Sequence, residues 1–225
     1  MFVNHMTTQS HQNGWKHKDK SLKKWTGLSD DISSQIQCIS TQFIRCKLRA
    51  NGLMSRKVSM TINVLPHATV RQMHHILVII NRMSLELERL HPRIFCNVTI
   101  PEPEVAPIII ENVGKNLFKH NDITWGKIIS FLTISSAIAA DCVKAGQSDM
   151  IQSIIDTVYT ILAAETGTWI EKEGGFSTLS DYIRPIGSEH ISFLGFLTIM
   201  VGFLLTVQFV WAVFKHLSKQ ILNIM

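Results

Sequence analysis

Residues 122–146 read DITWGKIISFLTISSAIAADCVKAG, and this stretch decides the fold. Between Lys127 and Asp141 lie 13 residues without a charge, and apolar side chains point in every direction around a helical wheel. A helix that is apolar all round is a buried one. Thirteen residues are too few to cross a bilayer unaided and suit the central helix of a soluble core. Trp125 supplies a large anchor at its start, beside Gly126, where another backbone can approach closely. The other helices are expected to wrap around this post.

Working outward, the segments on either side read as amphipathic helices. Residues 148–164 place Ile151, Ile154, Ile155, Val158, Ile161 and Leu162 at helical spacing, with Ser148 as the cap. Residues 108–120 turn Ile109, Val113, Leu117 and Phe118 inward, and Asn121-Asp122 breaks this helix and caps the central one. Residues 69–90 carry Ile76, Ile80, Met83 and Leu87 as a single stripe, ended by Pro92. A short turn fits 93–98, and Pro101, Pro103 and Pro107 keep the chain extended before the next helix. Residues 29–51 form the first helix, with Ser29 as N-cap, Asp30 and Asp31 at the positive end of the dipole, and Gly52 past the end. Residues 54–68 read as a linker. Gly174-Gly175 stops a helix, and Ser177 caps a short one carrying Leu179 and Tyr182. No strand pattern competes, so the fold class is all-α.

The two ends differ from this middle. Residues 1–27 hold five lysines against one aspartate, +4 of the chain's net +5, and read as a disordered basic tail. The basic balance is therefore a tail and not a nucleic-acid-binding face. Residues 191–214 are 24 residues without a charge, 15 of them Leu, Ile, Phe or Val. As a helix they span ~36 Å, more than the ~30 Å hydrocarbon layer. Insertion is favoured by roughly 5–9 kcal/mol before Gln208 and the threonines are counted. Lys215, His216 and Lys219 follow, and the segment reads as a tail anchor with a basic tail at 215–225 that leaves the helical domain in the cytosol.

With the anchor and the helices in place, two short motifs acquire meaning. ITWGK at 123–127, opening an apolar helix, resembles the first homology motif of the Bcl-two family of apoptosis regulators. WIEKEGGFSTLSDYI at 169–183 resembles its second motif, a Trp followed by a Gly-Gly-aromatic step. Within the family, ITWGKIIS, AADCVKAGQ and LERLHPRIFCNV (87–98) are similar to Bok-like members. The resemblance covers roughly 28–186 and implies a helical bundle around a central hydrophobic hairpin, here 123–145 with 148–164. It also implies a surface groove that takes an amphipathic helix from a partner. The groove walls would come from 76–90, 108–120, the start of 123–145 and the 169–183 region. Trp125, Gly126, Lys127, Leu117, Phe118, Trp169, Gly175 and Phe176 are the groove residues it points to.

By the same resemblance the third homology motif lies at 76–90, with anchors Ile76, Ile80, Met83 and Leu87. The family pattern then has a small residue followed by Asp, where this chain has Ser84 and Leu85. Glu86 is adjacent and could stand in for the missing acid. The cation that meets that acid across the interface is usually Arg and here is Lys127, a point donor without the bidentate fork.

Catalytic and metal motifs are lacking: the chain has no HExxH, no CxxC, no P-loop and no GxSxG. His74-His75 are adjacent on a helix, so their rings diverge by about 100°, cannot share a metal on one face, and read as solvated or structural. The four cysteines sit in apolar helical patterns and read as free thiols. The Asn97-Val98-Thr99 sequon would stay unmodified in a cytosolic domain. No catalytic residue, metal site or cofactor is assigned, and the expectation is a non-enzyme. The resemblance implies a regulator of apoptosis: a Bok-like pro-apoptotic effector that permeabilises the outer mitochondrial membrane. Alternatively, it implies a pro-survival groove protein that sequesters death-motif helices. Outside the family, the readings are a membrane-anchored adaptor at the endoplasmic reticulum or an enzyme on a tail-anchored scaffold. The expected partners are other Bcl-family proteins and death-motif helices, the lipid bilayer and further copies of the chain, with no nucleic acid. The expected location is the cytosolic side of the mitochondrial outer membrane or the endoplasmic reticulum.

Overall fold

The computed structural model describes residues 28–95, 103–119 and 122–183. The basic tail at 1–27, the anchor at 191–214, the tail at 215–225, Cys96 and the 97–99 sequon lie outside the described residues. Among those described, every regular element is helical. In chain order these are α1 (Asp30–Ala50), α2 (Arg56–Thr61), α3 (His67–Leu90), the short α4 (Pro92–Phe95), α5 (Ala106–Phe118), α6 (Trp125–Lys144), α7 (Ile151–Ile161), α8 (Gly167–Lys172) and α9 (Leu179–Ile183).

The central post is α6. Residues 128–140 are buried on all sides except at the partly exposed Ala137, because α1, α3, α5 and α7 pack around them. Phe131 is fully buried and meets Phe118 of α5 edge-on, with ring centroids 5.7 Å apart. Each such side chain contributes about 1.5–3 kcal/mol through burial. The helix runs 20 residues, past both ends of its uncharged stretch. It is therefore long and apolar enough to cross a membrane, although the 13-residue uncharged run alone is too short.

Four hydroxyls sit in this apolar helix without penalty. Thr133, Ser135 and Ser136 each donate to a backbone carbonyl three or four residues back, at 2.7–2.8 Å. The Thr133 and Ser84 hydroxyls also share a hydrogen bond at 3.0 Å, which joins α6 to α3, and Ser130 is buried alongside. Satisfying a polar group locally lets a Ser/Thr side chain enter a core.

Four local expectations are corrected. Ser148 does not cap α7: it begins a short 3-10 turn, and α7 starts after Met150 with no side-chain cap. Ser29 places no side-chain cap on α1, and its N–H donates instead to Glu171 at 3.3 Å. The cap of α6 is Thr124, whose hydroxyl accepts from the Lys127 N–H at 3.2 Å, and not Asn121-Asp122. The presumed linker contains α2, capped by Ser55 accepting from the Val58 N–H at 3.2 Å. Its six residues are too few to show helical periodicity in sequence. Gly52 ends α1 at φ 70°, as its position beyond the last apolar residue predicts.

The hairpin α6–α7 turns at Gly146, φ 84°. From α7 the chain passes through a π-helical turn, Leu162–Thr166, directly into α8. Thr166 donates its hydroxyl to the Leu162 carbonyl there, at 2.7 Å. On the other side of α5, Gly114 allows close approach: a Cβ there would lie 3.0 Å from Phe131 and collide with Ile161.

Candidate functional site

The two sequence motifs meet in space. Trp125 opens α6 and is buried; Trp169 of α8 packs edge-on against it at 5.0 Å, and Phe176 packs tilted against it at 5.4 Å. Such aromatic contacts are worth about 0.5–1.5 kcal/mol each beyond their buried area. Trp169 keeps part of its surface in solvent, and Phe176 has none.

The Gly-Gly step explains how Phe176 reaches that position. Gly174 and Gly175 both take positive φ, 91° and 84°, which ends α8 and reverses the chain. A Cβ at Gly175 would stand 2.9 Å from the Gln35 side chain and 3.2 Å from Ile32, so the step is pressed against α1. Gln35 closes the joint by accepting from the Phe176 N–H at 3.0 Å, while its amide donates to Asp31 at 2.8 Å. Gly175 and Phe176 thus support the tryptophan pair from beneath. Gly126 is buried beside Trp125. Leu117 and Phe118 are buried at the end of α5, with Phe118 seated on α6.

Lys127 lies in the first turn of α6, with only 14% of its side chain exposed. Its ammonium donates to the Asp122 carbonyl at 2.6 Å and to the Asp122 carboxylate at 2.9 Å. Within the chain the acid it meets is supplied from five residues upstream. Glu86 instead holds Arg89, 2.9 Å away on the exposed side of α3.

The third-motif anchors point into the core. Ile76, Ile80 and Leu87 are buried and Met83 partly so. Ser84 is fully buried against Thr133, and Leu85, where the family pattern has Asp, is 59% exposed. A second contact fixes α3: Lys47 of α1, 6% exposed, pairs with Glu88 at 2.7 Å and lies over the Phe43 ring. Sequence reasoning missed this pair and Asp122. Lys47 and Glu88 are 41 residues apart, and nothing in the local pattern joins them. His91, just after α3, is shifted below the usual histidine range by burial.

A family model described as "Apoptosis regulator proteins, Bcl-2 family" matches residues 79–176, which run from α3 through Phe176. Over that span, which is less than half of the chain, the sequence resembles the Bcl-2 family. It is similar to Bcl-2-related ovarian killer protein of Mus musculus, 25% identical over 154 residues, covering 65% of this chain and 70% of that protein. To Bcl-2-related ovarian killer protein homolog A of Danio rerio it is 28% identical over 111 residues, covering 42% of this chain and half of the zebrafish protein. Among solved structures, crystalline chicken BOK superposes with a TM-score of 0.57 at 21% identity, covering 69% of this chain and 99% of that one. Trichoplax adhaerens trBcl-2L2 bound to trBak BH3 gives 0.55 at 22% identity, covering 68% and 99%. The Bcl-2-like bundle is thus shared while most of the sequence is not. The matching family consists of regulators.

Proposed function

We propose that this chain is a Bcl-2 family member and a membrane-associated, Bok-like effector of apoptosis that permeabilises the outer mitochondrial membrane. The observation that carries the reading is α6 itself. It is buried as the core of a soluble bundle, yet its 20 residues are long and apolar enough to cross a membrane. The Thr133, Ser135 and Ser136 hydroxyls are bonded to its own backbone, so it carries those bonds with it on leaving the bundle. The hairpin α6–α7 opens away from α1 and α3, enters the bilayer and assembles with further copies. The uncharged 191–214 segment tethers the chain on the cytosolic side of an intracellular membrane.

The test is dye release from vesicles of mitochondrial outer-membrane lipid carrying the full chain. Release that rises with protein density, with α6 protected from aqueous reagents, is the expected result. No release under any condition that opens the bundle overturns the effector mechanism.

A second reading is favoured by the likeness to a relative solved with a BH3 segment bound. On this reading the bundle stays closed and its groove sequesters death-motif helices. Leu117, Phe118, Trp125, Gly126 and Lys127 would form the wall, and Trp169, Gly175 and Phe176 its support. Gly126→Glu in a folded protein is then expected to weaken binding of death-motif peptides. Unchanged peptide affinity, measured by fluorescence polarisation, would place the groove elsewhere.

A further inference from the structure

The outward face of α3 has a second pattern, independent of its core stripe. Arg71, His75, Val78, Arg82, Leu85 and Arg89 follow one another at steps of four, three, four, three and four residues, and all are exposed. At 3.6 residues per turn they fall within an arc of about 80° and form a straight line ~27 Å long. Met73, Ile76, Ile80 and Leu87 occupy the opposite, buried side. Val78 and Leu85 are 54% and 59% exposed, placed between the cations.

Of the three arginines on this line, one is neutralised within the helix and two are not. Glu88 points away and holds Lys47, and Glu86 holds Arg89. Arg71 and Arg82 make no ion pair among the described residues. A guanidinium presents a planar fork that matches phosphate, and aliphatic side chains set between such forks lower their free energy at the boundary between headgroups and acyl chains.

We infer that the outward face of α3 docks on the headgroup surface of an anionic bilayer. The line's positive charge complements acidic phospholipid, and the interleaved Val78 and Leu85 suit an interface that is polar and apolar within a few ångströms. The inference rests on the proposed tether: the 24 uncharged residues at 191–214, long enough to span a bilayer, would hold the domain beside one. An acidic protein is a weaker match, because the proposed tether would keep lipid, and not a protein, constantly within reach. The contact is peripheral and requires no opening of the bundle, so it stands apart from the pore mechanism.

The full chain is reconstituted in vesicles of phosphatidylcholine alone or enriched in phosphatidylserine. A photoreactive residue replaces Val78, Leu85 or, as an exposed control on α8, Thr168. Lipid adducts at 78 and 85 on the phosphatidylserine vesicles, at least about five-fold above the control, are expected from roughly one basic residue's worth of attraction. They should fall towards the control with Arg71→Gln/Arg82→Gln, and in ~1 M salt, where screening acts within about 3 Å. Adducts no more frequent than at Thr168 overturn the inference. So do adducts indifferent to phosphatidylserine, and adducts formed to protein in place of lipid. Glutamine keeps the helix propensity at both positions, so loss of folding does not mimic the expected result.

Discussion

Single side chains in this molecule are decided by the space and charge left for them. Gly114 is the sharpest case. Any Cβ there meets Ile161, whose β-branched side chain has few alternative rotamers, and Phe131, which is fully buried. Gly114→Ala is expected to destabilise the fold by about 1–3 kcal/mol in urea unfolding, despite the better helix propensity of alanine. The buried thiols give a pH signature. Burial pushes Cys38 up to about 11, and burial together with Asp141 does the same to Cys142, from an ordinary value near 9.0. The folded state therefore keeps protons that the unfolded chain releases. Stability from these groups is complete below pH 9 and is lost as pH rises through about 11. Cys38→Ala/Cys142→Ala should flatten that alkaline loss in thermal melts at successive pH values. Cys46, which is partly exposed, should react with a thiol reagent before either of them.

Among the elements, α3 shows how one helix serves several constraints. Its inward stripe was legible because apolar residues recur at helical spacing. What holds it in register was not. The Ser84–Thr133 hydrogen bond and the Lys47–Glu88 pair join positions 49 and 41 residues apart. Lys47 is almost fully buried, while Glu88 keeps a quarter of its side chain in water. Glu88→Leu therefore leaves an ammonium beside Phe43 without its acid. A loss of about 2 kcal/mol is expected, below the full figure for a buried pair because water still reaches the site. Lys47→Met/Glu88→Leu should recover most of it, and a double-mutant cycle in urea checks the coupling. The short α2 lies at the other extreme. It depends on the Ser55 cap, and on Gln152 of α7 accepting from the Asn63 N–H at 2.8 Å just beyond it.

At the scale of the whole molecule, the arrangement of helices sets the order in which it opens. The centre is α6, enclosed by α1, α3, α5 and α7, whereas α2 carries Val58 as its one buried residue. Amide exchange should be slowest through 128–140 and fastest through α2, with α3 intermediate because its inner half is buried and its outer face wet. The measurement is native-state hydrogen exchange with mass spectrometry. Equal protection of α2 and α6 would contradict this order. The same enclosure separates two roles of α6: it organises the soluble fold, and by length and composition it suits a bilayer.

The sequence alone determined that the bundle is helical, where its central helix lies and which side of each long helix faces inward, because 3.6-residue periodicity is a local property of the chain. It also carried the two motifs that mark the Bcl-2 family, because Trp, Gly-Gly and the following aromatic are needed in a fixed local order. Only the tertiary structure decided that Asp122 meets Lys127 within the chain, that Gly175 presses on α1, and that Lys47 reaches Glu88. Pairings of that kind depend on which surfaces the folded chain brings within hydrogen-bond distance, and no local repeat encodes them.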